Sequence, residues 1–302
     1  MIVERMHCEK VSYPRIATAA AEPVSTIHGK IWRLKKRSKE PAENSDRDAL
    51  LTEWIKAVKK VRSTWGVRRV RAFLVKKCGF SGLGRKRVNR IMRQNNLLCP
   101  RIPKRIHRKQ AEKITADAPN TLWATDMTSI MLTTLQRLFL IVVIDVFTRR
   151  VVGWHLSNRC RSREWILALE QAVHKEFPDG VRGKSLRLRS DNGSQPTSKA
   201  YVDVLETLDI TGEWTGFNCP EQNGHVESLI GTLKQDFIWL EEYDTFEEAL
   251  KMVERAVAEY NSDHPHSSLL FMSPDECKRK WDNGKLRIND KLQLEITQQK
   301  AA

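Results

Sequence analysis

The hydrophobic residues in the N-terminal third of the chain recur at helical spacing in three short segments. These segments are residues 49–61, 67–77 and 85–94, and in each of them apolar side chains return every three or four positions. The glycine-containing stretch 79–84 separates the last two segments. Two short helices joined by such a turn predict a helix-turn-helix-like domain over residues 49–100, although an ordinary solvated helical hairpin would show the same pattern.

From residue 119 onwards, the pattern changes to short apolar runs that are typical of strands and alternate with amphipathic segments. The predicted elements, in chain order, are strands 123–130, 138–147 and 150–156, helix 163–176, strand 185–189, helix 199–208, strand 210–214 and a helix from 224 to 239. This order is typical of an RNase H-like α/β core with a mixed five-stranded sheet. We therefore predict such a core, with a C-terminal helical extension, over residues 119–285, followed by a tail over 286–302.

The charges divide the chain at nearly the same place. Residues 1–118 contain 30 Lys+Arg and 10 Asp+Glu, a balance of +20, whereas residues 119–302 contain 22 and 27, a balance of −5. A merely well-solvated surface would explain the net charge of +15 but not this segregation. The asymmetry indicates a polyanion-binding module followed by a catalytic module. The first 48 residues form a basic lead with weak periodicity.

Basic side chains are concentrated in two parts of the N-terminal half. Arg85, Lys86, Arg87 and Arg90 lie at the start and on the polar side of the third helical segment, where a recognition helix would meet DNA. Residues 101–118 contain a basic run without a stable apolar face, which predicts a linker between domains that can lie along phosphates.

Neither membrane insertion nor disulfide bonding is indicated. The longest apolar run, Leu138 to Ile144, is too short to span a bilayer, and residues 1–30 lack the apolar core of a signal peptide. The six cysteines lie far apart without a C-x-x-C pair, which favours isolated reduced thiols over a disulfide scaffold or a zinc ribbon. We expect a soluble protein of the cytoplasm.

Three acidic residues occupy positions that the predicted core would bring together. Asp126 lies within the first strand, Asp191 just past the end of the fourth, and Glu227 on the first turns of the late helix. Asp191 and Glu227 have 35 residues between them. Any one of these acids alone is most simply a surface charge, but their joint placement predicts an active site.

The late helix places its acid beside the core rather than in it. Its apolar stripe comprises Val226, Leu229, Ile230, Leu233 and Phe237. Glu227, Gly231 and Lys234 follow one another at helical spacing on a different, polar stripe. Because Gly231 has no side chain, it leaves room for a nucleotide or a backbone to approach.

Clustered carboxylates repel one another, so at least one of them should have a raised pKa unless cations are bound. Two divalent ions held roughly 3.5–4 Å apart can activate an attacking oxygen and stabilise a leaving one in displacement at phosphorus. Mg²⁺ or Mn²⁺ suits such an all-oxygen ligand set, and no set of Cys and His ligands competes for the role.

Several ordered motifs resemble those of a known family. They are WATD (123–126), SDNG (190–193), CPEQNGHVES (219–228), Lys234, YN (260–261), HPHSSL (264–269) and SP (273–274), with WGVRRV (65–70) and KRVNRIMR (86–93) upstream. Together they resemble the D,D(35)E signature of integrase-type DDE transposases. The similarity covers residues 49–280 and is to the catalytic, OrfB-type part of the bacterial insertion-sequence family that makes transposase from two overlapping frames.

This resemblance implies metal-dependent cleavage at the 3′ ends of an insertion sequence, followed by strand transfer by transesterification. It implies that Asp126, Asp191 and Glu227 hold the metal ions and that Lys234 contacts element-end DNA. The implied partners are double-stranded DNA, both terminal repeats and target, and an OrfA-type protein or fusion, with a homo-oligomer in the DNA complex.

Two other functions are compatible with parts of this pattern. A DNA-binding regulator of transposition could keep the fold without activity, although the intact set of three acids argues against it. A nuclease of the RNase H type would hydrolyse DNA without joining it. Cleavage in an assay would exclude the first alternative, and detection of a strand-transfer product would exclude the second.

Overall fold

The computed structural model describes residues 21–23, 26–27, 43–100, 116–216, 223–289 and 294–297. The chain forms two compact units, Met1–Ala57 and Val58–Ala302. Most of the predicted lead and tail, and residues 101–115 of the predicted basic linker, lie outside the described residues. The predicted domain boundaries at 49–100 and 119–285 remain predictions.

Three helices precede the sheet: α1 (Glu43–Val61), α2 (Val67–Lys77) and α3 (Arg85–Gln94). The bounds of α2 and α3 are those that the apolar periodicity predicts, whereas α1 begins six residues earlier than predicted. The side chains that α2 and α3 bury are Val70, Ala72, Leu74, Val88, Ile91 and Met92. This α2–α3 pair supplies the predicted helix-turn-helix-like element.

The central sheet has five strands, and their number and order along the chain are as predicted. They are β1 (Leu122–Met131), β2 (Arg137–Asp145), β3 (Val151–Ser157), β4 (Arg187–Ser190) and β5 (Thr211–Trp214). Their spatial order is β3-β2-β1-β4-β5. The first three strands are antiparallel, and β4 and β5 run parallel to β1, so the sheet is mixed. The apolar run of β2 is buried because helices cover both faces of the sheet.

Helices pack on both faces of this sheet. One face carries α4 (Ser162–Glu176) and α5 (Lys199–Thr207), and the other carries α6 (Gly224–Asp236) and α7 (Phe246–Asp263). The chain continues through α8 (Pro274–Asp282) to a small antiparallel pair, β6 (Leu286–Ile288) and β7 (Leu294–Ile296). The predicted RNase H-like architecture is confirmed.

Two contacts set the spacing of helices on the edge strand β3. A Cβ atom on Gly153 would lie 2.3 Å from the backbone oxygen of Ala168, so α4 approaches β3 this closely only because position 153 is glycine. On the opposite face, the buried amide of Asn261 in α7 accepts a hydrogen bond from Val151 N and donates one to Val151 O, each at 2.9 Å. These contacts fix α4 and α7 against the sheet.

Helix α6 ends at Asp236, three residues before the predicted end at residue 239. Phe237 leaves the helical conformation with φ −139° and ψ −67°, and Ile238–Leu240 form a 3₁₀ turn. Phe237 and Ile238 are buried in the same core as the apolar stripe of α6. A periodic apolar pattern therefore continues past the helix end, and for this reason it does not mark that end.

None of the described helices is long and apolar enough to cross a membrane. Four of the cysteines, Cys78, Cys99, Cys160 and Cys277, are free thiols. Cys8 and Cys219 lie outside the described residues.

Candidate active site

The register of the sheet places two of the predicted acids side by side. Residues 122–124 of β1 pair in parallel with residues 187–189 of β4, with Ala124 opposite Arg189. Asp126 lies two positions after Ala124 in β1, and Asp191 lies two positions after Arg189, one residue past the end of β4. Because neighbouring strands lie about 4.8 Å apart, these carboxylates are neighbours at the end of β4.

Asp126 faces the side of the sheet on which α6 packs. Leu122 and Ala124 belong to the same core cluster as the buried stripe of α6, and side chains two positions apart on a strand share a face. Met127 N donates a hydrogen bond of 2.7 Å to Asp126 Oδ1, and the carboxyl group is half-buried. Asp126 is therefore held at the boundary between core and solvent.

The turn after β4 fixes the exposed Asp191. Gly193 N donates a 3.0 Å hydrogen bond to Asp191 Oδ1, and a Cβ atom on Gly193 would lie 3.0 Å from the same oxygen. Asn192 Nδ2 donates to the backbone oxygen of Thr215 at the end of β5. Every residue of the turn therefore contributes to the placement of this carboxylate.

Helix α6 presents Glu227 on its exposed flank, as the spacing of its residues predicts. The side chains that face the core are Val226, Leu229, Ile230 and Leu233. Glu227 is exposed and Lys234 is half-buried. A Cβ atom added to Gly231 would have no neighbour within 4 Å, so the space beside it is open.

Asn223, immediately before α6, connects this helix to the strand that carries Asp126. Its side chain is buried, and Nδ2 donates a hydrogen bond of 3.4 Å to the backbone oxygen of Thr125. Asn223 belongs to the motif over residues 219–228, but no role was predicted for it. Its position at the start of the helix, before Gly224, was the available signal.

The electrostatics show that the predicted acids share one environment. The pKa of Asp126 rises from 3.8 to about 6, chiefly because the group is buried and further because of the charges of Asp191 and Glu227. The hydrogen bond from Met127 N and the charge of Lys234 lower the pKa of Asp126, but by less than burial and the two acids raise it. Asp191, Glu227 and Lys234 therefore lie within electrostatic range of Asp126.

This arrangement suits a hard divalent cation by its chemistry. The three acids offer only oxygen donors, which Mg²⁺ prefers, and a cation would offset the repulsion from Asp191 and Glu227 that adds to the effect of burial on the pKa of Asp126. Within the described residues, no three His, Cys, Asp or Glu side chains already converge as a metal-binding group. The three acids therefore lie at one edge of the sheet, but their carboxylates do not converge on a single point as the ligands of a bound metal ion would.

The predicted DNA-contact residues lie on two different helices. Arg85, Lys86 and Arg90 are exposed on α3, and Arg87 is half-buried there. Lys234 lies in the last turn of α6, with its Nζ 6.0 Å from the ring centroid of Trp239.

Asp145, His264 and His266 lie outside the acidic site. The buried carboxylate of Asp145 accepts hydrogen bonds from the backbone of Asn120 and Phe147 and from the backbone and hydroxyl of Thr148, so its role is structural. The rings of His264 and His266 pack together, and burial lowers their pKa values to about 2 and about 3. Both rings are therefore neutral.

Family models match the chain in three stretches. A model described as an HTH-like domain matches residues 45–105, and two models described as an integrase core domain match residues 116–216 and 209–274. The integrase core matches contain Asp126, Asp191 and Glu227. This chain belongs to the DDE transposases with an integrase core domain. The predicted family and the predicted helix-turn-helix-like region are confirmed.

Relatives of this transposase occur in Escherichia coli. The InsD transposase of insertion element IS2 on the F plasmid of strain K12 is 29% identical over 240 residues, which cover 77% of this chain and 79% of the relative. The InsD transposase of element IS2-9 from the same strain is equally similar and is covered to 77%.

Solved structures with a similar chain include viral integrases. In the intasome of simian T-cell lymphotropic virus, the similar chain is 16% identical with a TM-score of 0.46, over 82% of this transposase and 79% of that chain. The catalytic core of HTLV-2 integrase in complex with magnesium is 19% identical with a TM-score of 0.39, over 53% of this chain and 96% of that core. At such TM-scores, these similarities add nothing to the assignment.

Proposed function

We propose that this transposase cleaves the 3′ ends of its insertion element and joins them to target DNA, with Asp126, Asp191 and Glu227 as catalytic residues. The observation that supports this most strongly is that Asp191 and Glu227 interact electrostatically with Asp126 at the edge where β4 ends, in addition to the burial that chiefly raises the pKa of Asp126 to about 6. This edge lies within the stretch that matches the integrase core domain.

The three carboxylates would hold Mg²⁺ or Mn²⁺, and we propose two ions. When bound, the ions supply the positive charge that activates the attacking oxygen and stabilises the leaving one. Asp126 and Asp191 present their oxygens from neighbouring strands, and Glu227 presents its own from α6. Lys234 adds a fixed positive charge on the same flank, which suits it to hold a DNA phosphate beside the acids.

Each step exchanges one oxygen for another at phosphorus. In cleavage, a water oxygen bonds to the phosphorus that follows the element end, and the bond from phosphorus to the element's 3′ oxygen breaks. The element is left with a 3′ hydroxyl. In joining, this hydroxyl oxygen bonds to a phosphorus of the target, and the target's own 3′ oxygen leaves with a proton. Neither step needs an oxidant or a reductant.

DNA binding is assigned mainly to the basic N-terminal half. The balance of +20 over residues 1–118 and the exposed basic side chains of α3 support binding to the phosphates of duplex DNA. We propose that the partners are terminal repeats and target DNA, that an OrfA-type protein or fusion assists, and that the DNA complex contains several copies of the chain. The reaction would take place in the cytoplasm, where bacterial DNA lies.

The decisive experiment is a cleavage and joining assay on a duplex that carries the terminal repeat of the element encoding this chain. Asp126→Asn, Asp191→Asn and Glu227→Gln should each abolish both products and change duplex binding less than about twofold. Asp203→Asn, an exposed acid on α5, is the matched control and should stay active. A chelator should stop the wild-type reaction, and Ca²⁺ should permit binding without chemistry.

The products separate this function from its alternatives. Duplex binding by the wild type without any cleavage in Mg²⁺ or Mn²⁺ would identify a regulator, and cleavage without a joined product would identify a nuclease. Full strand transfer by one of the three variants would remove that residue from the site.

The salt dependence of binding tests the role of α3. The logarithm of affinity should fall linearly with the logarithm of salt concentration, with a slope of about −0.9 per phosphate contacted. A variant with Arg85, Lys86, Arg87 and Arg90 of α3 replaced by glutamine should show a shallower slope. An unchanged slope would mean that α3 does not dock on the duplex.

A further inference from the structure

A buried acid lies at the C-terminal end of α6, the helix that carries Glu227 and Lys234. The side chain of Asp236 is only 2% exposed. The end of a helix carries partial negative charge, so an acid there is unfavourable, and burial of a carboxylate adds a further cost unless hydrogen-bond donors reach it. Hydrogen-bond donors outside α6 must therefore stabilise the buried carboxylate of Asp236.

The donors come from the turn between α1 and α2. Thr64 Oγ1 donates to Asp236 Oδ1, and Trp65 Nε1 donates to Asp236 Oδ2 at 3.2 Å. Arg62 NH1 donates to the backbone oxygen of Asp236 at 3.4 Å, and its guanidinium lies 4.4 Å from the ring centroid of Phe237. We call Arg62, Thr64 and Trp65 the α6 clamp.

The clamp is fixed to the helices that follow it. Trp65 N donates to Arg62 O at 3.1 Å, which closes the turn, and Cys99 Sγ donates to Thr64 O at 3.2 Å. The ring of Trp65 is 1% exposed and packs edge-on against Phe73 of α2 at 5.6 Å. The clamp is therefore in direct contact with the helix-turn-helix-like region.

The other neighbour of Asp236 does not replace these donors. His264 Nδ1 lies 3.8 Å from Asp236 Oδ2, and burial lowers the pKa of His264 to about 2, so that the ring is neutral. The ring stacks on Tyr260 of α7 at 5.3 Å and packs edge-on against Trp65 at 5.6 Å. His264 shapes this contact, while Thr64 and Trp65 satisfy the carboxylate.

We propose that the α6 clamp is a positioning contact through which the helix-turn-helix-like region holds Glu227 and Lys234 in place beside Asp126. Glu227 lies nine residues, about 13.5 Å, before Asp236 along a rigid helix, and Lys234 lies two residues before it. Fixing the end of α6 fixes both side chains. The consequence for catalysis rests on the proposed function, whereas the mechanical coupling does not.

The test uses the full chain and measures hydrogen exchange of α6 amides together with DNA cleavage. Thr64→Val keeps the shape of the side chain but removes the donor, and Thr64→Ser keeps the donor. Thr64→Val should speed exchange of the amides 228–233 by about tenfold, as expected for loss of a hydrogen bond to a buried charge. Thr64→Ser should exchange nearly as the wild type does.

A second pair of variants separates the clamp from general loss of packing. Trp65→Phe removes the indole donor and should reproduce the effect of Thr64→Val. Trp281→Phe makes the same substitution in α8, where the tryptophan ring packs on Phe147 at 4.8 Å. It should leave hydrogen exchange of the α6 amides unchanged. In cleavage, Trp65→Phe should raise the half-maximal Mg²⁺ concentration at least about threefold and change duplex affinity less than about twofold.

The outcomes are distinct. Faster exchange confined to α6, with β1 to β3 unchanged, supports the clamp even if the wild type shows no cleavage. Unchanged exchange in α6, or equally faster exchange throughout the sheet, overturns it. If Thr64→Val does not fold, Asp236→Asn is measured against the same criteria, since its amide keeps one acceptor for Trp65.

Discussion

Replacement of Asp126 with asparagine removes the charge whose burial is least favourable in the candidate site. Because the pKa rises from 3.8 to about 6, the folded protein binds a proton more tightly than the unfolded chain does. Wild-type stability therefore falls as the pH rises from about 4 to about 6 and stays at its lower value above that range. Asparagine has no charge to bury, and its Oδ1 can still accept the hydrogen bond from Met127 N.

The magnitude follows from the pKa values. The interval from 3.8 to about 6 corresponds to about 3 kcal/mol at 1.36 kcal/mol per pH unit. Solvent screens a half-buried carboxyl group, so we expect about 1–2 kcal/mol. Without metal at pH 7.5, Asp126→Asn should therefore raise the thermal midpoint by about 2–8 °C. At pH 5 this advantage should be roughly halved, because the wild-type carboxyl group is then mostly protonated.

Thermal denaturation of both proteins at the two pH values, with and without Mg²⁺, measures these effects. Asp179→Asn, an equal change of charge in the exposed loop after α4, should leave the midpoint unchanged. Mg²⁺ should stabilise the wild type but not Asp126→Asn. If Asp126→Asn destabilises the protein at pH 7.5, or if its advantage does not depend on pH, the burial and repulsion described for Asp126 are wrong.

Three further substitutions test the surroundings of the site. Gly231→Ala should stabilise α6 by about 1 kcal/mol, because the added Cβ meets no neighbour. If DNA passes beside residue 231, the substitution should also lower the rate of joining. Joining at the wild-type rate would exclude this path for the DNA. Lys234→Gln should weaken duplex binding and raise the pKa of Asp126, because its carboxylate loses a favourable charge. The acidic limb of the pH–rate profile should therefore move to higher pH. An acidic limb at the wild-type pH would contradict this expectation. Gly153→Ala should cost at least about 2–3 kcal/mol in denaturant unfolding, because its Cβ would overlap Ala168 O, and an unchanged midpoint would refute the close packing of α4 on β3.

The sequence alone determined the elements of this transposase. Apolar side chains at helical spacing marked α2 and α3 to the residue, and the apolar run of β2 and its neighbours gave five strands in the correct order. The spacing also predicted that Glu227 and Lys234 lie on a flank of α6 away from its buried stripe. These properties depend on local periodicity, which burial of one face imposes on each element separately.

Only the tertiary structure decided which of these elements meet. The parallel register of β1 and β4 places Asp126 beside Asp191, and a slip of one residue would have turned one of them to the other face. Thr64 and Trp65, about 170 residues earlier in the chain, donate hydrogen bonds to the buried carboxylate of Asp236 at the end of α6. Hydrogen bonds between distant segments leave no periodic trace in a sequence, and so the contact between Asp236 and the turn before α2 was visible only in the fold.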